Sequence, residues 1–327
     1  MKFQTARRWL ASAMLATSCA ALVAPTSTHA QSDKLTRFIL PVAAGSGVDT
    51  IMRASQKALS ASLGTAVVID NQPGAGGIVG TQTLVKAAPD GATLSVVSNN
   101  HVIYPSVYKT LPFDPIRDIT PIAVIGSSPM VLVVNPKLPA RDSKELVALL
   151  KAKPDTLNYA SSGNGTILHL AAEMFLDEAG VKAKHIPYKG VGPMITDLIG
   201  GQVDFGVLAL PAIQAHLKSG ALRAIGTSSK TRLAAAPEIP TFAEQGLPGY
   251  LVEGWFAVIG PKGLPTAEVK RINAAFASAF ATADVKDAMA KQGNPINVTT
   301  PEAAAAYFVS EMDKYARLVK RAGVKLD

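Results

Sequence analysis

Cysteine is all but missing from this chain. Among 327 residues only Cys19 carries a thiol, so there is no internal disulfide and no thiolate cluster for a soft metal. Histidine is scarce as well. His101, His169, His185 and His216 stand apart from one another in the body of the sequence. No HExxH or comparable His/Asp/Glu spacing places metal ligands together. There is no GxSxG elbow, no Walker A run and no carboxylate pair that stands out for acid–base work. Neither a metal nor a cofactor is expected. Basic residues outnumber acidic ones, 32 to 24, yet nowhere form a block of five or six, which argues against nucleic acid as a partner. Beyond residue 30 no apolar run approaches the roughly 18 residues needed to span a bilayer.

What is present is apolar material and an export leader. Apolar residues make up 48% of the sequence, enough for a sizeable core in one large domain or two ordinary ones. Residues 1–30 read as a secretory signal. Lys2, Arg7 and Arg8 come first, an apolar stretch runs from Trp9 to Val23, and Thr28-His29-Ala30 forms a small-residue cleavage site. Arg7-Arg8 leaves the general and the twin-arginine export routes both open. Without the leader's three basic residues the net charge falls from +8 to about +5, a mild bias that favours encounter with small anions.

Short apolar runs then alternate with helical periodicity. Strands are expected at 37–42, 66–69 and 93–98, with helices at 52–63 and 78–88 between them. This β-α-β-α-β order predicts a parallel sheet covered by helices on both faces. Two more strands, 122–125 and 130–134, are expected on either side of a break at Gly126-Ser127-Ser128-Pro129. The alternation restarts after that and ends in a helical C-terminus. No flexible linker separates the halves. The expected fold class is therefore α/β and two-lobed, with a ligand cleft between the lobes. One lobe would comprise residues 31–128 plus 254–327 and the other 129–253, with crossings near Ser128–Pro129 and Glu253–Trp255.

Two glycine- and serine-rich loops carry most of the functional information. Pro41 to Thr50 reads PVAAGSGVDT and Asn158 to Thr166 reads NYASSGNGT. Each follows a strand and opens a helix, where bare backbone N–H groups make a seat for an anion. In the first, Gly45 and Ser46 are candidate ligand contacts. Asp49 is expected to cap the helix or pair with Arg53 four residues on. In the second, Ser161, Ser162, Asn164, Gly165 and Thr166 combine hydroxyls, an amide and N–H groups. Thr166 or Asn164 would cap the helix, and His169 in its first turn is expected to be neutral, a candidate ligand contact with packing on the helix face as the alternative. Between them lies NQPGAGGIVG, a poor dinucleotide fingerprint with Val79 where a glycine belongs. Its Ala75 and Gly76 are candidate contacts, with tight-turn packing as the alternative. Ser98-Asn99-Asn100-His101 follow a strand, on the side where open α/β sheets bind ligands; Ser98 and Asn99 are candidate contacts in this lip, with ordinary turn chemistry as the alternative.

At these residues the chain resembles the periplasmic solute receptors of tripartite tricarboxylate transporters, the Bug receptors. The likeness rests on PVAAGSGVD, NQPGAGGIVG with AAPDGATL, LPFDPIRDITPIAVIG, LNYASSGNGTILHLAAEMF, IPYKGVGPMITDLIGGQVD and PEIPTFAEQGLPGY. It implies a type II periplasmic binding fold, with a small organic carboxylate held by backbone N–H groups and hydroxyls from both lobes through bridging waters. It implies a periplasmic, monomeric, non-enzymatic receptor that delivers its ligand to integral membrane transporter subunits. Asp49 matches the family's acidic position after the first loop. Two segments depart from the pattern, Val42-Ala43-Ala44 and Val207-Leu208-Ala209-Leu210-Pro211. The second is more apolar than usual and shifts the expected ligand toward an aromatic or otherwise apolar carboxylate. Two other readings stay open: an extracytoplasmic hydrolase using Ser46 or Ser162, which would need an oriented base, and a ligand sensor without a transporter.

Overall fold

Strand β1, Leu35–Leu40, is buried at Phe38, Ile39 and Leu40 with no exposed surface, as expected of a parallel strand covered on both faces. The computed structural model describes residues 35–152, 154 and 156–322; the leader expected at 1–30 lies outside them. Helix α1, Gly47–Leu63, follows β1. It starts at the N-cap Ser46, whose side chain accepts from the Asp49 N–H, and stops at Gly64, which takes the left-handed conformation with φ 67° that glycine adopts cheaply. Strand β2, Ala66–Asn71, a single 3₁₀ turn at Ala75–Gly77, helix α2, Ile78–Val85, and strand β3, Thr93–Ser98, complete the unit. Both β2 and β3 run parallel to β1, the arrangement read from the alternation.

The next segments depart from expectation. Helix α3, Asn100–Val107, was not among the expected elements and begins within the Ser98–His101 lip. Strand β4, Ile119–Val134, is one strand of 16 residues, not two separated by a break. Gly126-Ser127-Ser128-Pro129 stays extended because strand β9, Glu253–Pro261, pairs with it antiparallel from Ile119↔Pro261 to Pro129↔Glu253. The irregularity of that sequence surfaces only as register shifts at Pro121/Ala123 and Val124/Gly126. Tertiary pairing has overridden local turn chemistry.

The second half repeats the theme. Helix α4, Ser143–Ala152, strand β5, Asn158–Ser161, helix α5, Ile167–Ala179, strand β6, Lys184–Pro187, and helix α6, Val191–Gly200, come first. Strand β7, Phe205–Ala209, helix α7, Leu210–Lys218, and strand β8, Arg223–Thr227, follow. Strand β5 runs parallel to β6 and β7, while β7 and β8 run antiparallel to β4. The strand order is β2-β1-β3-β9-β4-β7-β5-β6, with β8 also on β4. Along β4 the partner changes from β9 up to Pro129 to β7 from Met130, so this strand joins the two half-sheets.

Three C-terminal helices close the fold: α8, Thr266–Ala281, α9, Ala283–Gln292, and α10, Pro301–Ala322. Helices α8 and α9 pack on α1, while α10 packs on α3, β4 and α5. Phe38, Phe276 and Phe280 anchor one core, and Tyr159, Phe175, Phe205, Phe242 and Phe308 another. Each such side chain stabilises the fold by roughly 1.5–3 kcal/mol through burial. Among the described residues no helix is long and apolar enough to cross a membrane.

Candidate ligand-binding site

The first loop is organised by Asp49 from behind. The Gly45 N–H donates to its Oδ2 at 2.9 Å, Arg53 Nε donates to both oxygens at 3.0 Å, and Asn71 Nδ2 donates to Oδ1 at 3.1 Å. Burial alone would raise this carboxyl, but the Arg53, Gly45 and Asn71 contacts outweigh it and hold the group below the usual range. Asp49 is thus a third-position residue that staples Gly45, not the cap itself. The Gly45 N–H is spent on it. What reaches the pocket instead is the start of α1, Ser46, Gly47 and Val48. The first N–H groups of a helix have no intrahelical acceptor; here the Asp49 N–H goes to Ser46 Oγ at 3.3 Å, and Gly47 and Val48 remain at the pocket wall. We expect Asp49→Asn to lower stability by about 2 kcal/mol and to weaken ligand binding in parallel, as read from urea midpoints and titration; unchanged values would remove the staple role.

The turn at Ala75–Gly77 sits against this loop. Ala75 has φ 45°, Gly76 φ 68° and Gly77 φ 120°. Close packing was one of its two readings, and the structure has it. A Cβ on Gly80 would stand 2.9 Å from Pro41 Cα. Ala75 and Gly76 also line the outer part of the cleft.

Asn99 and Asn100 divide their labour. Asn99 is fully buried, its Nδ2 donating to the Glu253 carbonyl at 3.1 Å and to the Tyr315 hydroxyl at 2.6 Å, while its Oδ1 accepts from the Trp255 N–H at 2.9 Å. Its amide ties β3, β9 and α10 together. Asn100, by contrast, spans the cleft. Its Nδ2 donates to Gly76 O at 3.0 Å and its Oδ1 accepts from the Ile167 N–H at 2.7 Å, the first N–H of α5. Tyr108 adds a second crossing, its hydroxyl donating to Asn164 O at 3.3 Å. Ser98 lines the inner pocket.

The second loop is braced from below. Ser161 Oγ lies 2.7 Å from His185 Nε2, donates to Gly163 O and accepts from the Gly163 N–H. With its own proton directed to Gly163 O, it accepts from His185, which fixes the Nε2–H tautomer there. The Gly165 N–H donates to His169 Nδ1 at 3.1 Å, so His169 is neutral, as read from its place at a helix N-terminus. The two imidazoles stack 3.9 Å apart at 9°, with Tyr159 on His185 at 4.8 Å. Burial lowers His169 to about 3, helped by its neighbour, and His185 to about 4. His169 therefore lies behind the loop. Thr166 is the N-cap of α5, accepting from the His169 N–H at 3.3 Å and donating to Gly163 O at 2.8 Å. Ser162, Asn164 and Thr166 face the cleft, and Gly165, at φ 70°, provides the bend.

Between the loops runs a cleft of about 990 Å³ that continues into an inner pocket of about 70 Å³. Val42, Ser46, Asn100, Ser162 and Val191 line both. The inner pocket adds Ser128, Met130, Leu208, Trp255 and Phe256. Ser128 is 2% exposed, and its Oγ has no hydrogen-bond partner. Among the described residues no charged side chain lines the inner pocket, and Lys189 is the charged residue that lines the outer cleft. Sequence reading missed Ser128, taken for part of a break, and Tyr108, whereas Asn100 was read as part of the lip that follows β3.

The family described as Tripartite tricarboxylate transporter family receptor matches residues 51–324. The chain belongs to this family. Protein BugT of Bordetella pertussis is 34% identical to the receptor over 309 residues, covering 94% of this chain and 95% of its own. Two solved structures from Rhodopseudomonas palustris are also similar. One, solved with adipate, is 30% identical with a TM-score of 0.86, covering 89% of this chain and 98% of its own. The other, MatC with bound malate, is 28% identical with a TM-score of 0.82, covering 87% and 99%. The receptor shares their two-lobed periplasmic binding protein fold, and the joined half-sheets described above are its framework.

Proposed function

We propose that the receptor captures a small organic carboxylate in the periplasm, without transforming it, and hands it to integral membrane transporter subunits. The observation that carries this reading is a convergence on one pocket. The N-termini of α1 and α5 both open there, at Gly47-Val48 and at Leu168, next to the Ile167 N–H that Asn100 already holds, and the partnerless Ser128 hydroxyl is buried in the same wall. Helix N-termini attract anions through their dipoles and unpaired N–H groups. With no cation in the wall, oriented dipoles and hydroxyls in a dry site would supply the grip. The relatives solved with adipate and malate support the same ligand class.

The remaining parts of the reading follow from this site. We take residues 31–128 plus 254–327 as one lobe and 129–253 as the other, so that Gly47 and Leu168 face each other across the cleft. The leader would be removed after about Ala30, and the receptor would act as a monomer. Of the predicted contacts, Ser46, Ala75, Gly76, Ser98, Ser162, Asn164 and Thr166 are those we assign to ligand. Gly45, Asp49, Asn99, Ser161, Gly165 and His169 hold them in place. A hydrolase is disfavoured because the Ser46 and Ser162 hydroxyls engage Asp49 N–H and Thr166 Oγ1, not an imidazole base.

A carboxylate panel tests the reading. Trp255 lines the inner pocket, so a fitting ligand changes its fluorescence. At about 100 times Kd the ligand adds about 2.7 kcal/mol, which raises the melting temperature by about 5 °C or more for a chain of this size. Ser128→Ala weakens that ligand about tenfold without altering the apo melting temperature by more than a degree or so. No response to any carboxylate from folded protein would overturn it.

A further inference from the structure

The inner pocket carries the ligand class one step further, on the assumption that the receptor reading is correct. We infer that the ligand is a monocarboxylate with an apolar body, seated head-out on the helix N-termini and body-in on Met130, Leu208, Trp255 and Phe256.

The polar groups around the inner pocket are neutral, and several are already engaged. Both ends of the Asn99 amide are bonded to Glu253, Tyr315 and Trp255, and both ends of the Asn100 amide to Gly76 and Ile167. The Trp255 indole N–H donates to Glu311 Oε2 at 2.8 Å, which leaves the apolar ring surface for the pocket. Met130 lies opposite Ala209 in the β4–β7 ladder and Val131 opposite Leu208. The Met130 methyl group lies over Gly254, close enough that a Cβ there would stand 2.7 Å from it. The floor is therefore aliphatic, thioether and aromatic surface carried by β4, β7 and β9, while the Ser128 hydroxyl lies beside the start of α1, 3.9 Å from where a Cβ on Gly47 would stand; no ammonium or guanidinium lines it among the described residues.

A second carboxylate driven into this floor would lose its water and find no cation, which costs far more than hydroxyls return. An apolar body gains with each buried methylene. A pocket of 70 Å³ holds about two waters at roughly 30 Å³ each and is under half of the roughly 150 Å³ that takes a benzene ring, room for a short alkyl chain. The competing placement points the body outward, toward Lys189 on the rim of the outer cleft. That placement would favour a dicarboxylate.

The two are separated by titrating acetate, butanoate, hexanoate, benzoate and adipate into the full mature chain, read by Trp255 fluorescence and calorimetry. We expect affinity to rise about three- to fourfold per methylene from acetate to hexanoate, and adipate to bind at least about tenfold more weakly than hexanoate. Met130→Ala should flatten the chain-length slope; if that variant does not fold, the wild-type series and the hexanoate–adipate pair decide alone. Adipate binding as tightly as hexanoate or more so, with its advantage lost in Lys189→Ala, overturns the inference and leaves the receptor reading standing. Silence from every acid, acetate included, overturns both.

Discussion

Acidification from pH 6.5 to 4 unfolds the receptor far more easily than its carboxylates alone would dictate. His101, His169 and His185 are held neutral, chiefly by burial, at about 4, 3 and 4. An unfolded histidine takes up its proton near 6.5. Their neutral packing is therefore at full strength above that pH. Below it the unfolded chain binds protons that the folded chain refuses, and stability falls with pH until the folded values are reached. Each fully buried imidazole contributes a slope of up to about 1.4 kcal/mol per pH unit. His101 and His169, 1% and 7% exposed, set the scale, while His185 is only partly buried and contributes less. Glu173, raised mainly by burial, works in the opposite sense, since acid relieves it. Asp49, held low, loses its contribution only at still lower pH, so the two effects separate on the pH axis. Urea midpoints at pH 7.5, 6 and 5 read the slope, and His101→Leu should remove a large part of it without touching the ligand loops. A flat profile from 7 to 5 would contradict neutral burial of these rings.

Gly77→Ala should cost more than about 3 kcal/mol, the largest effect expected from adding one methyl group anywhere near the cleft. Gly77 holds φ 120°, a region that only glycine enters readily. The strain is compounded by contact: its Cβ would strike the Tyr104 hydroxyl and stand 2.8 Å from Pro41 O. Neither neighbour is free to yield. Tyr104 is 2% exposed and donates to Gly76 O at 3.2 Å, and Pro41 carries the first ligand loop. Tyr104→Phe in the same chain removes the oxygen from the collision and should restore part of the loss, a coupling that a double-mutant cycle measures. If Gly77→Ala melted within a degree of wild type, the turn would have to be looser than described. Glycine here serves the approach of two backbones, not a ligand.

Much of this was legible in the sequence because local chemistry and tertiary structure agreed. The alternation that set β1, β2 and β3 parallel came from runs such as Phe38–Leu40, buried on both faces. Thr166 was readable as a cap and His169 as neutral, since both depend only on the first turn of one helix. Asp49 and Arg53 were readable as an ion pair from their spacing. The misreadings arose where a distant partner decided the outcome. Pro105 and two leading asparagines hid α3, which exists because its face packs on α10. Gly126 to Pro129 looks like a turn until β9 is laid beside it. Ser128 could not be recognised as a buried, partnerless hydroxyl, because its isolation depends on what surrounds it in space and not on its neighbours in sequence.

The paired course of β4 and β9 has a mechanical consequence. Two lobes joined by loose strands can swing through wide angles at little cost. Here β4 leaves its ladder with β9 at Pro129↔Glu253 and enters its ladder with β7 at Met130↔Ala209 with no unpaired residue between, buttressed by the Ser127 hydroxyl on the Glu253 carboxylate at 2.6 Å. Such a ladder twists and flexes but does not fold over, because sharp bending would break bonds that the strands have no other way to satisfy. A swing of one half-sheet on the other would therefore have to strain paired residues on both sides of Pro129–Met130, as in a leaf spring rather than a door hinge.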